Sequence, residues 1–362
     1  MTTRVGIVGT GGIAGVQADS LSRIDDAEIV AVTDIDEGRA REFAAKWGGR
    51  VDASLEAMLE TGGVDIVHLC SPPGLHVAQG ELVLRAGVSA LSEKPPALSL
   101  AEFDRIRAAE EASSGWFATV SQHRFGGRAR WLAERTADGA LGDAMTAVCH
   151  TLWYRPESYF DMPWRGTWAS EGGGPTMGHG IHQIDTMLSI LGPWREVTAV
   201  AARRARPVET EDLSAALVTL ESGAVVSIVN SLLSPRETSY LRFDYTHATV
   251  ELEHLYGYGD DAWRFTAAPG APEGLADEWE RSATGRGSGH GAQFVETYAA
   301  LAEGRPLPVT TADARDTLEL LAAIYASAFE GRPVAKGEID AASPFAASMR
   351  GSGAPWEEKV TA

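Results

Sequence analysis

Through the first third of the chain, short apolar runs alternate with longer stretches in which apolar positions recur every three to four residues. The runs fall at residues 4–8, 28–33, 65–70, 88–92 and 117–121. Ile66-Val67-His68-Leu69-Cys70 is apolar almost throughout, as expected of a strand covered on both faces. Strand and helix in this rhythm predict a parallel sheet with crossover helices, a doubly wound α/β domain. After Gln122 the rhythm changes. Strand-like segments at 144–154, 196–204, 213–220, 224–232, 239–245 and 248–255 succeed one another, in places across a turn as short as Glu221-Ser222-Gly223. That succession predicts antiparallel pairing in a large open sheet, an α+β domain. A helix at 177–191 interrupts it, with Ile181, Ile184, Met187, Leu188 and Leu191 on one stripe. Helices at 291–302 and 312–329 follow, residues 267–289 read as a long surface loop, and residues 343–362 as a partly unordered end.

At 362 residues the chain exceeds one ordinary core, so two domains are expected, 1–121 and 122–340, with a C-terminal tail at 341–362. A formal charge of -19 disfavours nucleic acid and anionic membrane surfaces, which bind through clustered Lys and Arg. No apolar stretch is long enough to span a membrane, and the first residues run into a strand pattern without a signal-peptide arrangement, so a cytoplasmic protein is expected. Cys70 and Cys149 sit in apolar runs and read as small hydrophobes.

Chemistry-bearing residues gather where strands end. The first strand runs into Gly9-Thr10-Gly11-Gly12-Ile13-Ala14, a G-x-G-x-x-A turn opening a helix. Glycines there permit a sharp turn and close approach of a pyrophosphate, and the helix start offers N–H donors. The second strand ends at Asp34, placed to accept hydrogen bonds from ribose hydroxyls and to repel a 2′-phosphate, which points to NAD(H) rather than NADP(H). The third ends at Cys70-Ser71-Pro72-Pro73-Gly74-Leu75-His76, where His76 has two readings, a cofactor contact or a helix-start cap. The fourth ends at Ser92-Glu93-Lys94-Pro95-Pro96, whose lysine can donate to a substrate oxygen and whose Glu93 can orient it; a surface salt bridge is the plain alternative. Gly172-Gly173-Gly174, just before the helix at 177–191, reads as a close backbone approach to a ligand or as a connector. His150, His179, His182 and His290 form no ligand pattern with cysteines or carboxylates, so no metal is expected.

GTGGIA, CSPPGLH and SEKP, then WRGTW at residues 164–168, EGGGPTMGHGIHQID at 171–185 and a block ending ELLAAIYASAFEGRPV at Val334 resemble the glucose-fructose oxidoreductase/inositol dehydrogenase (Gfo/Idh/MocA) family over nearly the whole chain. The resemblance implies a Rossmann domain followed by a sheet domain, a homo-oligomer (dimer or tetramer) formed through that sheet, and an active site between the domains. It implies that Lys94 and His182 hold the positions of the family's lysine and histidine, and that Gly9, Gly11, Gly12, Ile13, Asp34, Ser71, Pro72, His76, Glu93, Lys94, Trp164 and Arg165 serve the cofactor. Tyr154, Tyr159, Trp168, His179, Asp185 and His290 are candidates for a sugar pocket through stacking and hydrogen bonds, with a core role open for each.

The implied activity is hydride transfer between nicotinamide and a sugar, inositol or related polyol or its ketone. His182 would accept the hydroxyl proton while Lys94 hydrogen-bonds the same oxygen. One position departs from the pattern: similar polyol dehydrogenases carry an aspartate four residues before the histidine, where this chain has Gly178. His179 points a quarter-turn away and need not replace it, whereas Asp185, three residues after His182, is in reach of it. The same resemblance leaves two alternatives, a glycosidase using NAD for transient oxidation and a non-catalytic sensor.

Overall fold

The computed structural model describes residues 2–162 and 164–357. The chain divides into two compact units. The first comprises Met1–Ala97, Ala101–Gln122 and Gly289–Arg315, and the second Leu98–Leu100, His123–Ser288 and Asp316–Ala362.

The first unit holds a parallel sheet of β1 (Thr3–Val8), β2 (Ala27–Thr33), β3 (Arg50–Val51), β4 (Ile66–Leu69), β5 (Ser89–Ser92) and β6 (Phe117–Thr119). Their order is β3-β2-β1-β4-β5-β6, so the winding reverses between β1 and β4. In doubly wound sheets a ligand sits at that reversal, outside the carboxyl ends of the strands. Val5, Ile7, Ile66 and Leu91 are fully buried, which explains the unbroken apolar runs. Only the two-residue β3 escaped the sequence pattern. The helix His290–Ala302 belongs to this unit and not to the second, where its place in the chain had put it. Its Phe294 and Tyr298 join Ala14 and Ala18 of helix Gly12–Leu21 in one core. Burying an apolar side chain of this kind contributes about 1.5–3 kcal/mol.

The second unit is built on an eight-stranded sheet of β7 (Ala144–Tyr154), β8 (Trp194–Ala202), β9 (Leu213–Leu220), β10 (Val225–Ser231), β11 (Leu233–Tyr245), β12 (Ala248–His254), β13 (Trp263–Ala267) and β14 (Val334–Ala335). The order is β13-β12-β11-β7-β10-β9-β8-β14. Every pair is antiparallel except β7 with β10, which run parallel. Burial alternates along β9 and β12, so one face is covered and the other open. Helix Ile181–Leu191 lies against the covered face at β7 and β11.

One expectation is corrected. Residues 267–289 are not loop throughout: helix Leu275–Arg281 buries Leu275 and Trp279, and the Trp279 ring stacks on Phe265 with the Arg128 guanidinium 4.0 Å from its centre. Seven residues entered through Gly274 at φ +86° are too few to show helical periodicity. The end of the chain is packed as far as it is described, with Phe345, Met349 and Ala354 buried and Trp356 donating to the Glu209 carbonyl at 2.9 Å. The remainder of the expected tail lies outside the described residues.

Candidate functional site

In the first unit the loops after β1 and β4 meet. Gly9 has φ +83°, and a Cβ there would lie 2.9 Å from the Cys70 carbonyl, so glycine is demanded by backbone packing. Gly11 and Gly12 differ: a Cβ at either would meet nothing within 4 Å. The helix they open has no side-chain cap, leaving its first N–H groups for a ligand. Ile13 packs on the core behind the turn.

Asp34 holds this turn together. Its Oδ2 accepts from the Thr10 N–H at 2.7 Å and the Thr10 hydroxyl at 2.9 Å, and its Oδ1 from the Asp36 N–H at 2.9 Å and Arg39 at 2.8 Å. Burial opposes ionisation, yet these donors and the Arg39 charge together hold the carboxyl below its usual range. It is an acid already committed to four donors, where sequence reading had a rim acid awaiting a ribose. The Arg39 partner was not anticipated. The uncapped helix start, the open space at Gly11 and Gly12 and the ionised Asp34 fit a dinucleotide whose pyrophosphate lies on the turn.

Beyond β4, the Ser71 hydroxyl donates to Gln79 at 2.6 Å, and Pro72 leads into the turn before helix His76–Arg85. The His76 ring is fully buried, its nitrogens 2.8 Å from the carbonyls of Ser71 and Pro95. It ties the loop after β4 to the loop after β5, so the geometry supports the structural reading of this residue. Glu93 is buried beside Lys94. Its Oε1 accepts from Gln17 at 2.6 Å and faces His290 Nε2 at 3.3 Å, and its Oε2 accepts from the Lys94 backbone N–H at 3.3 Å. His290, a sugar-pocket candidate by resemblance, therefore stands in the first unit against Glu93.

In the second unit His182 sits on helix Ile181–Leu191, directly after a π-turn at Thr176–Gly180, a widened turn frequent at functional sites. Its ring stacks on His123, with centroids 5.1 Å apart and planes at 24°, and meets Tyr256 edge-on. Behind it, His254 Nε2 donates to Gln183 Oε1 and Gln183 Nε2 donates to His123 Nδ1, each at 3.3 Å. Burial pushes the His254 pKa down to about 4. His179 lies in the π-turn edge-on to Trp153 and near Tyr159. The Asp185 carboxylate takes Arg124 in a two-pronged pair at 2.7 and 2.5 Å, with Thr317 at 3.3 Å on one oxygen. It thus acts as the partner of Arg124, which sequence spacing on one helix did not reveal. A Cβ on Gly178 would meet nothing within 4 Å, so glycine is not required there by packing.

The glycine run is corrected. A Cβ at Gly173 would come within 2.2 Å of the Tyr325 hydroxyl, and one at Gly174 within 1.9 Å of the Glu211 carbonyl oxygen. These glycines are small because protein fills the space a ligand was expected to take. Trp168 is core, ringed by Tyr325, Phe329 and Trp356. Tyr154 is exposed at the end of β7, with Arg206 over its ring. Arg165 lies over Trp164 and Tyr159, pairs with the Tyr159 hydroxyl, and faces Glu171 at 3.4 Å. Among the described residues no cluster of histidine, cysteine and carboxylate side chains could hold a metal ion, and no helix is long and apolar enough to cross a membrane. Sequence reading missed Gln17, His68, Tyr298, His123 and His254. The one signal was a histidine inside an otherwise apolar strand run, at residue 68.

Residues 3–119 match the oxidoreductase family with an NAD-binding Rossmann fold, so the first unit is the dinucleotide-binding part of an NAD-dependent oxidoreductase. Residues 129–252 match the GFO/IDH/MocA C-terminal domain, and the chain belongs to the Gfo/Idh/MocA family. It is 30% identical to the myo-inositol 2-dehydrogenase of Thermotoga maritima over 63% of this chain and 68% of that one. It is 30% identical to the D-glucoside 3-dehydrogenase of Escherichia coli over 52% of this chain, spanning about half (54%) of that relative's length. The WlbA dehydrogenase of Bordetella pertussis, solved with NADH and UDP-GlcNAcA, superposes with a TM-score of 0.81 at 26% identity, covering 92% of this chain and 97% of that one.

Proposed function

We propose that this chain oxidises a hydroxyl of a sugar, inositol or related polyol with NAD, or reduces the corresponding ketone with NADH. The observation that carries the reading is the placement of Lys94 two residues past the end of a strand of the dinucleotide-binding sheet, beside the buried carboxylate Glu93. The names of the relatives supply the substrate class. NAD supplies the hydride acceptor when bound, with Gly11, Gly12, Asp34 and the loop at Ser71 and Pro72 to hold it, and Trp164 and Arg165 as further contacts. Lys94 donates a hydrogen bond to the substrate oxygen. His182 takes the proton from that oxygen in oxidation and returns it in reduction, its ring set by His123 and Tyr256. His179, Tyr154, Asp185 and Tyr159 remain candidates for substrate contact, and His290 acts through Glu93. The chain is also proposed to work in the cytoplasm as a homo-oligomer. Support for assembly comes from Val200, Leu217 and Val225, apolar and exposed on the open face of the eight-stranded sheet.

The test is a panel of polyols and sugars with NAD, followed by NADH fluorescence, on the parent chain and on Lys94→Ala and His182→Ala. Each variant is expected to lose about 10²–10⁴-fold in kcat while NAD affinity stays nearly constant. Undiminished turnover in Lys94→Ala overturns the role. So does aglycone release from a glycoside without net NADH formation, which would assign the chain to hydrolysis.

A further inference from the structure

A line of buried hydrogen bonds in the first unit runs in one direction and ends on Glu93. The Gln17 Oε1 can only accept, so the ring nitrogen that approaches it at 2.6 Å, Nδ1 of His68, carries the proton. Burial holds that ring neutral, with its pKa pushed down to about 3. Its other nitrogen is then an acceptor, and the Tyr298 hydroxyl 3.0 Å away donates to it. The Gln17 amide group passes the polarity on, its Nε2 donating at 2.6 Å to Glu93 Oε1, the oxygen that His290 also faces.

Gln17 and His68 are fully buried, and Tyr298, His290 and Glu93 are each at least nine-tenths so. Buried polar groups of this kind are tolerated only when each finds a partner. Here every link satisfies the next, and the last one is an acid. Burial alone would raise Glu93, but His290, Lys94 and Gln17 together hold it below the usual carboxylate range. Three other titratable groups face it. Burial keeps the His68 ring neutral and pushes the Cys70 thiol up, and it lowers His76, whose two ring nitrogens are held against the Ser71 and Pro95 carbonyls.

We propose that Gln17, His68 and Tyr298 are positioning residues, a one-way donor chain that keeps Glu93 a fixed carboxylate next to Lys94, so that Lys94 meets its substrate as an ammonium donor. This rests on the reading of Lys94 given above. Loosening the chain frees Glu93 to rotate or take up a proton, which withdraws negative charge from the lysine and lets its ammonium deprotonate at lower pH.

The variants are Gln17→Met, which keeps the length and removes both polar atoms, and Tyr298→Phe, which removes one hydroxyl from the far end. The first readout needs neither cofactor nor turnover: acetylation of each lysine is mapped by mass spectrometry across pH, with exposed Lys46 as internal reference. Only the free amine reacts. The half-reaction pH of Lys94 is expected to fall by about one unit in Gln17→Met, roughly a tenfold gain in reactivity at a given pH, and by less in Tyr298→Phe. The second readout is the alkaline limb of the kcat profile, expected to move the same way. An unmoved Lys94 titration in folded Gln17→Met overturns the proposal. Should that variant not fold, an unmoved titration in the near-isosteric Tyr298→Phe does so. Full activity in Lys94→Ala would remove the catalytic reading yet leave the amine titration informative, so the two failures are separable.

Discussion

Gly9 and Gly11 stand two residues apart in the same turn and are glycine for different reasons. Gly9 adopts φ +83° and has no room, since a Cβ would lie 2.9 Å from the Cys70 carbonyl carbon and oxygen and the Ser71 nitrogen. Gly11 has φ -75°, open to any residue, and free space where its Cβ would point. Backbone strain of the first kind costs about 1–3 kcal/mol, before any displacement of the loop after β4. Gly9→Ala is therefore expected to lower unfolding stability by at least that amount in urea titration. Gly11→Ala is expected to unfold at nearly the parental midpoint, yet to bind NAD at least tenfold more weakly by calorimetry, because its methyl occupies the space available to the pyrophosphate. Equal loss of stability in both variants would mean that the space above Gly11 is not free. Unchanged NAD affinity in Gly11→Ala would mean that the dinucleotide does not use it.

At the scale of an element, the π-turn before the His182 helix depends on a buried acid from outside that helix. Glu211 accepts from the Gly174 N–H at 3.0 Å, the Thr176 N–H at 3.1 Å and the Tyr325 hydroxyl at 2.8 Å, tying the glycine run to the start of the turn. Its pKa is raised by burial, the donors only partly offsetting that effect. A carboxyl raised in the folded state keeps its proton while the unfolded chain, ionising near 4.5, releases one. Between those two values the folded state binds more protons, so stability falls as pH rises through that window. Glu211→Gln cannot ionise and is expected to remove that slope. Urea midpoints from pH 4 upward, measured on both chains, should therefore converge or cross in favour of the variant as pH rises. Parallel curves would show that Glu211 titrates alike in both states. None of this was visible in the sequence, where Gly172-Gly173-Gly174 pointed to a ligand. A glycine made small by a neighbouring backbone and one made small by a ligand are spelled the same way.

Across the whole molecule, what was legible depended on whether a contact is local. The strands of both sheets, β3, β13 and β14 excepted, stood out because burial on both faces leaves an unbroken apolar run, as in Val67 and Leu69, and burial on one face leaves alternation, as along β9. Asp34, Glu93, Lys94 and the glycine turn were found because strand ends in a doubly wound sheet carry the ligand. Contacts made by distant segments were not legible: the return of His290–Ala302 to the first unit, the parallel pairing of β7 with β10, and the two lines of buried histidines. Those histidines set the acid behaviour of the chain. Burial lowers His68 to about 3 and His254 to about 4, and it lowers His76 and His150 as well. A histidine neutral in the fold and free to protonate once unfolded contributes stability that is complete above about pH 6.5 and is lost as pH falls toward the folded value. The lowered carboxylates Asp34, Asp65 and Asp244 add their own loss only below the ordinary carboxyl range. Unfolding free energy is therefore expected to fall already between pH 6.5 and 5, by about 1.4 kcal/mol per pH unit for each buried histidine in its window, and melting temperature with it. His254→Gln should flatten that slope without abolishing it, since His68 remains, whereas a melting temperature constant over this interval would mean that these rings take up protons without unfolding.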